Sequence, residues 1–353
     1  MGIPFITKLL RMTIISLIIS LISCLILILI SIAFFTLVER KFLGYSHLRK
    51  GPNKVSFIGI LQPISDAIKL FLKQPLSPFS TSKVPFWIVP CIGLFLALAL
   101  WVLYAFQYNP TNFSLAVILF LSISSVRVYS SLLAGWIRNS KFSLVGALRR
   151  RAQTISYEVS IAFVLLCPLI IHGSYNLQDC GTYSILVFIL PFLFLVWIVT
   201  LLAETNRTPF DLAEGESELV SGFNTEYISG PFAIIFIAEY LVILWISVLT
   251  AYLFFSITPF PFHFIDTIAT TVFAVICSLF FIWTRTTLPR FRYDQLIYIC
   301  WKTFLPSLIP INLFCLYSSY YLLFVSFKKP KTFNFMMGKL TNSVVPEKRV
   351  ILM

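Results

Sequence analysis

Charge is what this sequence has least of. Only 12% of its 353 residues are Asp, Glu, Lys or Arg, whereas 58% are hydrophobic and the mean hydropathy is +0.90. So little charge cannot clothe a soluble globule, and the composition defines an integral membrane protein with several helical spans. The apolar runs are long and do not alternate with polar residues, which argues against a β-barrel. Histidine is scarcer still: His47, His172 and His263 fall near span ends and form no metal pair. The seven cysteines, Cys24, Cys91, Cys167, Cys180, Cys277, Cys300 and Cys315, contain no C-x-x-C and lie mostly within apolar runs, where packing is their role. No metal, haem or iron–sulfur cluster is therefore expected on this chain. With no glycine-rich phosphate loop, no flavin or nucleotide chemistry is expected either.

What charge there is leans one way, with 27 Lys and Arg against 14 Asp and Glu and a net charge of +13. In so apolar a chain this excess points to loops facing anionic membrane lipid rather than to nucleic acid. Lys8 and Arg11 precede a long apolar run that lacks the short core and small-residue cleavage site of a signal peptide, so it reads as a retained span.

Eight spans are predicted, over about 14–38, 86–106, 115–137, 159–172, 185–203, 232–255, 264–283 and 304–327. The fourth is short by the ~20-residue criterion and can begin near Ala152. The connections 39–85, 138–158, 204–230 and 284–302 are long and hold most of the Lys and Arg, whereas 107–114, 173–184 and 256–263 are short and hold none. The positive-inside rule places the long connections on the cytoplasmic or matrix side and both termini opposite. Residues 1–327 read as a single membrane domain, and 328–353 as a basic tail that runs against the rule. In the first connection, residues 57–73 put Gln62, Asp66, Lys69 and Lys73 on one helical face and Ile60, Ile64, Ile68, Phe71 and Leu72 on the other, the pattern of an interfacial helix.

Acid is concentrated in one place. Glu204, Asp211, Glu214, Glu216, Glu218 and Glu226 fall within 203–227, and Glu239 follows in the next span, so 36 residues hold half of the acids. Thr208-Pro209-Phe210-Asp211 reads as a helix start and Gly222 as its stop, which would align Asp211, Glu214 and Glu218 on one face. Arg207 stands three residues from Glu204 and four from Asp211, a spacing that permits ion pairs. Crowded carboxylates favour shared protons. Spacing alone leaves a solvated acidic loop equally open, although Phe210, Leu212, Leu219, Val220 and Phe223 are interleaved with the acids. Arg127 and Glu239 lie inside spans, where each would cost about 2.5–3.5 kcal/mol against lipid, so both should face protein or water. Glu158 follows Arg149-Arg150-Arg151 at the fourth span. Arg285, Arg290 and Arg292 lie near Asp294 after the seventh, where plain positive-inside anchoring is the alternative reading.

Five stretches, ERKFLGYSHLRKGPNK, LQPISDAIKL, GALRRRAQTISYE, AETNRTPFDLAEGESELVSGFNTEY and PRFRYDQL, occur in order and together resemble the subunit 1 family of respiratory complex I, NADH:ubiquinone oxidoreductase. The resemblance runs from about Leu37 to Trp301 and implies an all-α membrane heel subunit of eight spans, acting on ubiquinone as substrate beside the other complex I subunits. It implies that those partners hold the terminal iron–sulfur cluster, and that the chain sits in a mitochondrial inner or bacterial plasma membrane. The abundance of Phe and Ile favours the mitochondrion through an AT-rich genome. By motif position it implies a quinone tunnel at Arg40, Arg49, Asp66, Phe223, Arg285, Arg290, Arg292 and Asp294. It likewise implies a proton-relay trail at Arg149, Glu158, Glu204, Asp211, Glu214, Glu216, Glu218, Glu226 and Glu239. Arg127 has no counterpart in that pattern and receives no role. The rival readings are the related membrane subunit of a hydrogenase-type complex, a standalone proton or ion transporter, and a structural anchor.

Overall fold

A backbone in hydrocarbon must satisfy its own polar groups, and helices are the local solution for runs as apolar as these. The computed structural model describes residues 2–75, 78–79, 81–103, 115–175, 187, 190–212, 215, 222–225, 227–255 and 263–328. The helices in chain order are α1 (Gly2–Ser46), α2 (Gln62–Leu72), α3 (Lys83–Val102), α4 (Ala116–Trp136), α5 (Lys141–His172), α6 (Pro191–Glu204), α7 (Gly230–Phe254), α8 (His263–Thr287), α9 (Tyr293–Tyr298) and α10 (Leu305–Lys328). A π-helical stretch, Ile299–Phe304, joins α9 to α10. Among the described residues, seven helices are long and apolar enough to cross a membrane, and α6 is a shorter apolar helix. Together they make the eight-span, all-helical layout.

Three boundaries differ from expectation. The segment 138–158, expected as a long loop, is helical from Lys141, so α5 is 32 residues long and Arg149, Arg150, Arg151 and Glu158 all stand on it. Its Ala, Leu, Arg and Gln residues are good helix formers, and only 137–140 remain for the turn from α4. The helix stops at Gly173, whose left-handed backbone (φ 70°) returns its N–H to the Leu169 carbonyl. Similarly 284–302 is mostly helical and only 288–292, around Pro289, is not. At the other end of the chain, α1 runs on past Glu39-Arg40-Lys41 to Ser46 rather than closing there.

The bundle has two hubs. Helix α5 packs against α4, α6, α9 and α10, and α7 packs against α1, α2, α3 and α8. Their apolar windows are accordingly 56% and 50% buried, against 28–33% for the other long spans. A helix apolar all round needs neighbours all round. Aromatic and polar ties cross these interfaces. Phe120 of α4 stacks on Trp245 of α7 with centroids 4.7 Å apart. The Trp101 indole donates to the Leu241 carbonyl, and Asn312 of α10 to the Phe163 carbonyl of α5.

Helix α2 covers 62–72 of the expected 57–73, residues 57–59 forming a separate 3-10 turn, and it exposes the apolar residues of the pattern, Ile64, Ile68, Phe71 and Leu72. Ser229 donates to the carbonyls of Leu70 and Lys73 and pins the end of α2 to the start of α7.

The tie with the largest consequence is Gln153, fully buried on α5. Its Nε2 donates to the Ala203 and Phe210 carbonyls, both at 2.9 Å, and so holds the end of α6 and the start of the acidic connection. Gln153→Met leaves both carbonyls without this donor and should destabilise the detergent-solubilised protein by about 1–3 kcal/mol. A lowered thermal midpoint together with faster proteolysis after α6 would show it.

Candidate functional site

The acidic connection does not start as a helix. Residues 208–212 are turn and coil, and the Thr208 hydroxyl is buried and has no hydrogen-bond partner among the described residues, so it caps nothing there. Tertiary contacts have taken the backbone groups instead. The Phe210 carbonyl accepts from Gln153, the Pro209 carbonyl accepts from the Phe291 N–H at 3.0 Å, and the Phe210 ring stacks on Phe291. Glu214, Glu216, Glu218 and Glu226 lie outside the described residues, so the shared face with Asp211 is not described. Glu204 closes α6, and Gly222–Asn224 form a short 3-10 turn that buries Phe223.

Arginines then bring the scattered acids together. Glu204, almost wholly buried, accepts a hydrogen bond from Arg127 of α4. Glu239 of α7 accepts one from Arg150 of α5 at 2.9 Å, and the same guanidinium lies 4.5 Å from the Phe223 ring centroid. Arg207 does not use its sequence neighbours Glu204 and Asp211. It reaches Glu39 of α1 at 2.8 Å and lies over the Tyr240 ring. Glu39 is also paired with Arg285 of α8 and accepts from the Tyr240 hydroxyl at 2.7 Å. Burial alone would make the Arg207 guanidinium easier to deprotonate, but Glu39 and Tyr240 outweigh it and push its pKa up, so it stays a cation.

These pairs form a series. Glu158, one of whose carboxyl oxygens is buried with no hydrogen-bond partner among the described residues, lies within electrostatic reach of Glu204 and Arg127. Glu204 is reached by Arg150 as well as Arg127, and Arg207 by Glu239 as well as Glu39. Four carboxylates (Glu158, Glu204, Glu239, Glu39) therefore interleave with four guanidiniums (Arg127, Arg150, Arg207, Arg285), and the series is formally neutral when all are ionised. A cavity of about 50 Å³ opens between its members, lined by Arg127, Arg150, Asn206, Phe223 and Glu239 among others.

A second, larger cavity of about 440 Å³ is lined by Arg149, Asp211, Arg290, Arg292, Tyr293 and Asp294, with Leu212, Gly215 and Phe291. Arg290 reaches Asp211 across it at 3.4 Å. Five predicted site residues thus meet here, and Asp211 joins the Arg290 side rather than Glu204. Arg40 pairs with Asp66 of α2, both partly exposed, and Arg49 is exposed in the turn that follows α1. Arg40, Asp66 and Arg49 line neither cavity.

Residue patterns missed several members. Glu39 looked like a charge closing the first span, although an acid at the end of a long apolar run is itself a signal. Arg138 is fully buried between Thr225 and the Tyr227 ring, 3.7 Å from its centroid. Tyr227 in turn stacks on Phe86 at 4.6 Å. Burial raises the Tyr227 phenol pKa, and Arg138 offsets only part of that. Arg127, left without a role, is the partner of Glu204.

Apolar helices that enclose alternating carboxylates and guanidiniums define a multi-pass membrane protein with a buried charge network. The chain belongs to the NADH dehydrogenase family, whose model matches residues 19–316. It is 48% identical to NADH-ubiquinone oxidoreductase chain 1 of Euphractus sexcinctus over 298 residues, which cover 83% of this chain and 94% of that one. It is 48% identical to the protein of the same name from Aedes aegypti over 282 residues (79% and 88%), and 49% identical to that from Lampetra fluviatilis over 284 (79% and 88%).

Glu39 carries the largest electrostatic demand, since two guanidiniums depend on it. Glu39→Gln should destabilise the bundle by about 3–5 kcal/mol, the cost of stranding a buried partner. The double variant Glu39→Gln with Arg207→Met should recover part of the loss, measured as the thermal midpoint in mild detergent.

Proposed function

We infer that this chain is a membrane subunit of the proton-pumping NADH:ubiquinone oxidoreductase of the mitochondrial inner membrane, where it lines the path of the quinone and carries charge from quinone reduction toward proton translocation. The observation that carries the reading is the buried, interleaved carboxylate–guanidinium series, in a chain that also holds a cavity lined by three arginines and two aspartates. The relatives named NADH-ubiquinone oxidoreductase chain 1 favour the quinone enzyme over a hydrogenase-type complex or a lone ion transporter.

The chemistry follows from charge. A quinone that takes up two electrons and two protons becomes a quinol, and negative charge develops on its oxygens before the protons arrive. Arg149, Arg290 and Arg292 at the larger cavity are placed to stabilise that charge, and Asp211 and Asp294 to exchange protons beside it. Arg40, Arg49, Asp66, Phe223 and Arg285 are assigned to the rest of the quinone path, with the exposed apolar face of α2 set in the lipid interface through which a hydrophobic substrate arrives. The electrons come from partner subunits that hold the terminal iron–sulfur cluster. The relay is assigned to Glu158, Glu204, Asp211 and Glu239, and to Glu214, Glu216, Glu218 and Glu226 of the same connection. New negative charge at the quinone raises proton affinity in the nearest carboxylates. Because the series is balanced, each proton taken up leaves an excess positive charge that the next carboxylate feels. The long basic connections face the matrix, and 1–327 form one membrane domain.

Asp211→Asn and Glu214→Gln should each lower NADH:quinone reductase activity or the number of protons moved per electron, by about tenfold or less, since neither removes the whole path. Wild-type rates and stoichiometry in both variants, assayed in sealed membranes, would overturn the reading.

A further inference from the structure

Arg127 contributes charge to the series, but the reading above gives it no step of its own. It stands in the middle of a membrane span, yet its Nη2 is bonded to Glu204 across the α4–α6 gap. Arg150 does the same for Glu239 from α5 to α7. The two guanidiniums line the same 50 Å³ cavity, and Glu239 and Asn206 line it with them. At about 10–15 Å³ for each water, that volume admits roughly three to five. Several buried polar atoms at and around the cavity have no protein partner among the described residues: Arg127 Nε, Asn206 Oδ1, Glu204 Oε2 and Glu158 Oε1. Each clamped carboxylate is held by one oxygen, and Glu204 keeps its other oxygen free for a proton.

We propose that Arg127 and Arg150 are positioning residues for proton passage, each clamping one relay carboxylate while its guanidinium lines a cavity that the two share. A proton reaches Glu204 from the preceding carboxyl, Glu158, by way of an intervening water: the Glu158 O–H bond breaks, the water takes that proton and gives up one of its own, and an O–H bond forms at the second oxygen of Glu204. Neutral Glu204 no longer attracts Arg127, whose guanidinium stays protonated and turns to the cavity. Arg127 then repels the next proton until Glu204 has passed its own onward. Arg150 and Glu239 repeat the step. The clamp thus enforces order: a carboxylate is emptied before the one behind it is loaded. Among the described residues, Arg127 of α4 and Glu158 and Arg150 of α5 act electrostatically on Glu204, and Arg127 is the one hydrogen-bonded to it.

This inference rests on the relay reading above, and the test separates the two. In sealed membranes holding the assembled complex, Arg127→Gln should leave reduction of a short-chain ubiquinone analogue largely intact and lower protons moved per electron by about twofold or more. Arg127→Lys retains a cation and should restore the stoichiometry with a displaced pH profile of turnover, because an ammonium holds the carboxylate differently from a guanidinium. Wild-type stoichiometry in Arg127→Gln beside a loss in Glu204→Gln would overturn the clamp and leave the relay standing. Wild-type stoichiometry in Glu204→Gln would overturn the relay itself. If Arg127→Gln does not assemble, Arg127→Lys decides: a displaced profile supports the clamp, and a profile and stoichiometry identical to wild type reduce Arg127 to a structural counter-charge.

Discussion

A carboxylate enclosed by apolar helices must meet a cation or lose its charge, and the architecture of this protein follows from meeting that demand repeatedly. Glu39 is the sharpest case. It is buried, and it is held by Arg207 from the acidic connection, Arg285 from the end of α8 and the Tyr240 hydroxyl of α7. One side chain therefore ties α1, α7, α8 and a connection together at a single level of the bundle. Removing it would leave two guanidiniums competing for what remains, and a buried ion pair broken on one side costs far more than the pair intact contributes.

The same demand explains why the acidic connection folds without starting as a helix. A helix from Thr208 would have consumed the Pro209 and Phe210 carbonyls internally. They are turned instead toward the Phe291 N–H and Gln153, and Phe210 is buried against Phe291 and Tyr157. Local propensity is worth about 1 kcal/mol or less per residue, whereas burying an aromatic ring and satisfying two carbonyls is worth several times that. Residues 208–212 are therefore stitched to α5 and to the α8–α9 turn, which places Asp211 opposite Arg290.

Function and fold share these interactions. The charges that hold the helices in register are the ones assigned to carry protons, so a change of protonation at Glu204 or Glu239 also alters a contact between helices. A network balanced between four carboxylates and four guanidiniums responds to one added charge along its length. An apolar surround with little water screens that response weakly.

Much of this was legible from residues alone. Apolar run length determined the eight spans, because hydrocarbon admits few other solutions for a backbone, and the period of residues 57–73 determined the interfacial face of α2. The clustering of acids between 204 and 239 pointed to a candidate site, and the five motifs in order marked the family, which the match over residues 19–316 shows. Partner choice was not legible. Arg207 sits three and four residues from two acids, yet bonds to one 168 positions away, and Arg127 finds Glu204 at a separation of 77. Spacing along a chain specifies neighbours only within one helix. Which guanidinium meets which carboxylate depends on how α1, α4, α5, α6 and α7 pack, and only the tertiary structure decided that.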